Sequence, residues 1–98
     1  MANEEHVKIL KQGVEAWNKW RRENDPRGSR VSIADLSEVD FEGMVLTKID
    51  LGEADLRKAK FSNSDLSGAD LRWANLSNAD LREADLSGAN LGECMTTS

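Results

Sequence analysis

Leucine or phenylalanine falls at every fifth position along most of this chain: Leu36, Phe41, Leu46, Leu51, Leu56, Phe61, Leu66, Leu71, Leu76, Leu81, Leu86 and Leu91. Two residues before each lies a second, smaller register: Ala34, Val39, Met44, Ile49, Ala54, Ala59, Ser64, Ala69, Ala74, Ala79, Ala84 and Ala89, which Cys94 continues. Asp or Asn usually separates the two, as at Asp35, Asp50, Asp70, Asn75 and Asn90. An α-helix repeats every ~3.6 residues and a strand every ~2, so a period of five belongs to neither. Steps of two and then three fit a chain that runs extended briefly and then turns. The pairs after each Leu, such as Ser67-Gly68 and Ser77-Asn78, are corner-forming residues. A chain that turns repeatedly while keeping one register inward closes into coils, and stacked coils make a solenoid.

Residues 3–24 carry a different period. Val7, Ile9, Leu10, Gly13, Val14, Ala16, Trp17 and Trp20 fall on one half of a helical wheel, and Lys8, Lys11, Gln12, Glu15, Asn18, Lys19 and Arg22 on the other. This predicts one amphipathic helix, N-capped by Asn3, with Glu4 and Glu5 at the positive end of its dipole. Gly13, near the middle of the apolar half, is expected to let the helix lie close against its partner. Asn24-Asp25-Pro26-Arg27-Gly28 ends the helix and turns the chain, and Ser29–Ile33 is the extended entry to the first coil. The organisation is therefore a capping helix and turn over 1–28 and a repeat solenoid over 29–98, in one compact domain. A solenoid end exposes apolar side chains and unpaired backbone, so the helix is expected to plug it through Leu10, Gly13, Val14, Trp17 and Trp20. Val39, Met44 and Ile49 widen the first coil where later ones carry mostly Ala.

The pentads Ala69-Asp70-Leu71-Arg72-Trp73 and Ala84-Asp85-Leu86-Ser87-Gly88 resemble those of the pentapeptide-repeat proteins, and the resemblance covers about two thirds of the chain. It implies a mainly β fold: a right-handed, quadrilateral parallel β-helix with four pentapeptides per turn and Leu or Phe inside. Interior columns then follow, with Phe41 and Phe61 in one column, a coil apart and able to stack. The chain supplies about three coils, a solenoid roughly 15 Å long.

Composition narrows the function. The 98 residues are 32% charged and 5% aromatic, which suits a narrow solenoid core. No apolar run is long enough to span a bilayer, and no cleavable signal pattern opens the chain. One cysteine permits no internal disulfide and fits a reducing compartment, so a soluble cytoplasmic protein is expected. His6 stands alone, Cys94 has no second cysteine, and no HExxH, phosphate-binding glycine loop or GxSxG occurs. No catalytic, cofactor-binding or metal-binding residue is assigned, and neither enzyme activity nor a small-molecule substrate is expected. The repeated Asp residues recur because a corner favours them.

Binding is the function that is left. The family resemblance implies one candidate, an acidic DNA mimic that binds bacterial DNA gyrase. The repeat from Ala34 onward holds thirteen acidic and six basic residues, but Arg57, Lys58, Lys60 and Arg72 interrupt its middle, so no face becomes a continuous acidic stripe. With a formal charge of −5, neither nucleic acid nor a membrane is an expected partner. Two outward residues depart from the motif, Val45 and Lys60; Trp73, at a corner, is either a binding anchor or a ring lying flat over a neighbouring coil. Thr47, Ser67, Gly68, Ser87 and Gly88 make one face small and flat. The final coil has no covering helix. Its Leu76, Leu81, Leu86 and Leu91, with Trp73, Cys94 and Met95, are the candidate interface, docking end to end with a second copy or another pentapeptide-repeat protein.

Overall fold

The computed structural model describes residues 2–23 and 34–96. The turn expected at 24–28 and the extended entry expected at 29–33 lie outside the described residues.

Where the wheel predicts one helix over 3–24, two short ones form: α1 (Glu4–Leu10) and α2 (Val14–Glu23). Asn3 starts α1 as expected of an N-cap, its Oδ1 accepting the N–H groups of Glu5 at 2.8 Å and His6 at 3.3 Å. The break is at Gly13, whose φ of +114° few side-chain-bearing residues adopt. Its N–H donates to the Leu10 carbonyl and its own carbonyl accepts from Trp17 N–H, both at 3.0 Å, so this one residue closes α1 and opens α2. Gly13 is exposed, and a Cβ added there would meet nothing within 4 Å. Its glycine serves the backbone angle, not the close packing expected of it. A continuous helix and a break at Gly13 predict opposite signs for Gly13→Ala. In a continuous helix alanine would gain about 1 kcal/mol; at this backbone angle it should cost about 1–3 kcal/mol without any clash. The shift of the urea midpoint decides between them.

In the repeat, each Leu or Phe carbonyl accepts from the N–H three residues on, from Val39→Leu36 through Cys94→Leu91, at 2.9–3.3 Å. The third residue of every such turn has φ between 54° and 71°, the signature of a type II turn. Gly43, Gly68 and Gly88 take that angle freely, but Glu38, Lys48, Glu53, Lys58, Trp73 and Glu83 take it as well. Between turns the chain pairs in parallel with the segment 20 residues away, by bridges one residue wide: Asp35 with Asp55, Asp55 with Asn75, Asn75 with Met95, and likewise on the other faces. The Leu36 N–H donates to the Asp55 carbonyl at 2.9 Å, and the Asp55 N–H to the Ala34 carbonyl at 2.8 Å. Extended segments this short are joined by turns before they become strands.

This register stacks like on like. Phe41 and Phe61 lie face to face, centroids 4.6 Å apart and planes within 2°. Leu36 to Leu76 are buried throughout, together with Ala34, Ile49, Ala54, Ala59, Ala69 and Ala74. Ser64 fits the small register because its hydroxyl donates to the Phe61 carbonyl at 2.7 Å, leaving no buried polar atom unpaired. Towards the C-terminus the enclosure weakens: Leu81 and Leu86 are half-buried and Leu91 is 40% exposed.

Candidate interaction surfaces

The recurring acidic residues build turns. In each, one carboxylate or amide oxygen accepts the N–H two residues on: Asp35 from Ser37, Asp50 from Gly52, Asp65 from Ser67, Asn75 from Ser77, Asn90 from Gly92. Serine at that second position adds its hydroxyl, as Ser67 does to Asp65 and Ser87 to Asp85 at 2.6 Å. Arginine adds a two-pronged pair instead: Arg57 with Asp55, Arg72 with Asp70, Arg82 with Asp80. These hydrogen bonds hold the carboxyls of Asp55, Asp65 and Asp85 below their ordinary value, and the Arg82 side chain brings Asp80 down to about 2. Such groups are ionised and engaged, the opposite of what a general acid needs. Among the described residues, no three His, Cys, Asp or Glu side chains are grouped to hold a metal ion. No helix there is long and apolar enough to cross a membrane.

The two ends of the repeat differ. At the N-terminal end Leu10 and Trp17 are buried, while Val14 and Trp20 pack half-buried against the same core. Polar atoms from the helices also reach the backbone of the first coil. Asn3 N–H donates to the Asp35 carbonyl at 2.9 Å, and His6 Nδ1 accepts the Asp35 N–H at 3.0 Å. Trp17 Nε1 donates to the Asp50 carbonyl at 2.7 Å, Asn18 Oδ1 accepts the Asp50 N–H at 2.8 Å, and the buried Arg21 donates to the Gly52 carbonyl. These are the groups that, one coil later, bond to the coil before: Asp55 N–H to Ala34, the Asp55 carbonyl to Leu36, the Arg57 carbonyl to Glu38. At Asp35, Asp50 and Gly52 the helices thus stand in for a preceding coil. Sequence reading missed His6, Asn18 and Arg21 in this role, placing Asn18 on the polar half of the wheel and giving Arg21 no place on it. The available signal was the spacing Val14, Trp17, Arg21, which puts the arginine on the apolar stripe.

At the other end the backbone ladder stops at Leu76 N–H to the Met95 carbonyl (2.7 Å) and Met95 N–H to the Ala74 carbonyl (2.9 Å). Among the described residues, the N–H groups of Leu81, Leu86 and Leu91 and the carbonyls of Ala79, Ala84 and Ala89 have no counterpart. Of the expected interface, Leu81, Leu86 and Cys94 are half-buried, with Leu91 and Met95 40% and 53% exposed. Leu76 does not belong with them: the chain returns over it at Met95, and it is buried. Trp73, 44% exposed, is held in place, its Nε1 donating to Glu93 at 3.0 Å and the Arg72 guanidinium 5.5 Å from its ring. Val45 is 70% exposed, beside the small residues of its face.

A family model described as pentapeptide repeats, in 8 copies, matches residues 34–72 and 64–94. Among solved structures, the pentapeptide-repeat protein Rfr23 from the cyanobacterium Cyanothece 51142 is similar at 30% identity and a TM-score of 0.62, over 66% of this chain and 45% of that one. A pentapeptide-repeat protein of the Arabidopsis thaliana thylakoid lumen is similar at 33% identity and a TM-score of 0.37, over 65% of this chain and 55% of that one. The chain therefore spans less than two thirds of either. No curated protein matches it.

Proposed function

Because the chain belongs to the pentapeptide-repeat family, we propose that it is a non-enzymatic interaction module: a right-handed, four-sided β-helix of about three coils that docks through its C-terminal end. One observation carries this reading. Helix groups pair the first coil's backbone edge at Asp35, Asp50 and Gly52, whereas among the described residues the C-terminal coil presents unmatched N–H and C=O groups around exposed Leu91 and Met95. Edges of that kind pair with other edges. The partner is a second copy, or another β-helix with the same twenty-residue register. A single cysteine supports a reducing cytoplasmic setting, while the similar plant protein belongs to the thylakoid lumen.

Docking predicts a dimer in light scattering at tens of micromolar, with two copies meeting about a two-fold axis. An adduct on Cys94 should weaken that association before it disturbs the fold. A strict monomer whose Cys94 labels freely, with no effect of labelling, ends the proposal. The DNA-mimic alternative needs uninterrupted acidic surface. Against it, Arg57, Arg72 and Arg82 each neutralise an aspartate of their own turn. Inhibition of gyrase supercoiling by the same preparation would reinstate it.

A further inference from the structure

We propose that His6 is an acid-sensitive latch, holding α1 over the first coil at neutral pH and letting it lift when the imidazole is protonated. His6 is buried, its ring 4.9 Å from that of Trp20, and its Nδ1 accepts the Asp35 N–H at 3.0 Å. A nitrogen that accepts carries no proton, so this hydrogen bond exists only with neutral imidazole. Imidazolium has N–H groups on both nitrogens. In the same pose two donors would face each other in a buried site, a polar arrangement that cannot be satisfied without movement.

The surroundings set the direction. Burial acts most strongly on His6 and lowers its proton affinity; Arg21 of α2 works the same way, while Asp35 of the first coil and Glu5 of α1 oppose them. The net shift is below the ordinary value of 6.5. Released α1 therefore binds the proton more readily than docked α1. Docking is fully favoured above pH 6.5 and is lost as pH falls through the lowered value. The aspartates held low by Arg and Ser partners titrate further down, so their effects separate from this one.

The helices are tied unequally. Among the described residues, both backbone ties of α1 go to one residue, Asp35, through Asn3 and His6. Those of α2 go to Lys48, Asp50 and Gly52, through Trp17, Asn18 and Arg21. Losing the His6 bond removes half of the first set and none of the second. Acid thus frees α1 and uncovers the Asp35 edge while α2 stays seated.

Hydrogen exchange on the full chain tests this. From pH 7.5 to 5, and after correction for intrinsic rates, protection of the Asp35 amide and of α1 should fall, by up to about tenfold per pH unit. His6→Asn keeps an acceptor oxygen but cannot titrate, and should show the same protection across the range. Because His6 is the lone histidine, its ring proton reports its own titration, which should share the midpoint of the protection loss. Protection in the wild type that ignores pH overturns the latch. So does an equal fall in His6→Asn. Where that variant folds poorly, separate midpoints for ring titration and protection in the wild type overturn it as well.

Discussion

Leu66→Ala should lower the stability of the fold by about 2–5 kcal/mol, a large share of the roughly 5–15 kcal/mol typical of a domain this size. Leu66 is fully buried and shares its column with Leu46 and Leu86, as the Val45–Asp65–Asp85 bridges establish. Truncation leaves a cavity between two coils whose spacing is fixed by backbone bonds such as Leu46 N–H to Asp65 (2.7 Å) and Leu66 N–H to Asp85 (2.8 Å). Those bonds limit how far the coils can close on the gap. The informative control is the same substitution one coil on. Leu86 is half-buried, so Leu86→Ala should cost less than about half as much, in proportion to the area already exposed. Urea midpoints at low micromolar concentration make the comparison. Equal losses would mean that the C-terminal coil is covered in the isolated chain.

Trp17→Ala should also cost about 3–5 kcal/mol, for two reasons that can be separated. The indole is fully buried, packed 5.1 Å from Trp20, and is the largest buried side chain of the described residues. It also supplies the donor that satisfies the Asp50 carbonyl at 2.7 Å. Trp17→Phe keeps most of the bulk and removes the donor, so it should cost only the unpaired carbonyl, about 1–3 kcal/mol. If alanine and phenylalanine variants melt alike, packing is not what seats α2. A loss below about 1 kcal/mol for alanine would show that the helices do not share the cooperative unit of the repeat.

The inward register was legible because the repeat offers the same alternatives twelve times, and Leu or Phe wins at all of them. Val45 could be placed outside by counting alone, and the two phenylalanines in one column once the family resemblance implied four pentads per turn. Gly13 could not be read this way. Leu10, Val14 and Trp17 keep helical spacing across it, so the apolar stripe runs on although the backbone breaks. The cap's polar bonds were hidden for another reason. Asn18, Arg21 and His6 are matched to backbone groups, and a pattern of side chains does not say which carbonyls the neighbouring coil leaves free. Left-handed turn residues were only half visible: Gly43, Asn63, Gly68, Asn78 and Gly88 announce the angle, but Glu53, Lys58 and Trp73 adopt it because the ladder on either side leaves no other.

The bridges that join only residues twenty apart make the faces of this molecule a matter of reading frame. Insert or remove twenty residues, and every later side chain keeps its column, with the same kind of neighbour above and below. Remove five, and each later residue moves round by one side: the row of Asp50, Asp70 and Asn90 would be rebuilt with Met95 in the place of Asn90. The core would scarcely notice, since every column is filled by Leu or Phe. The outside would be rewritten from that point on. A chain built this way can lengthen or shorten in whole coils without disturbing what it displays, and a single lost pentad changes the entire display while leaving the fold intact.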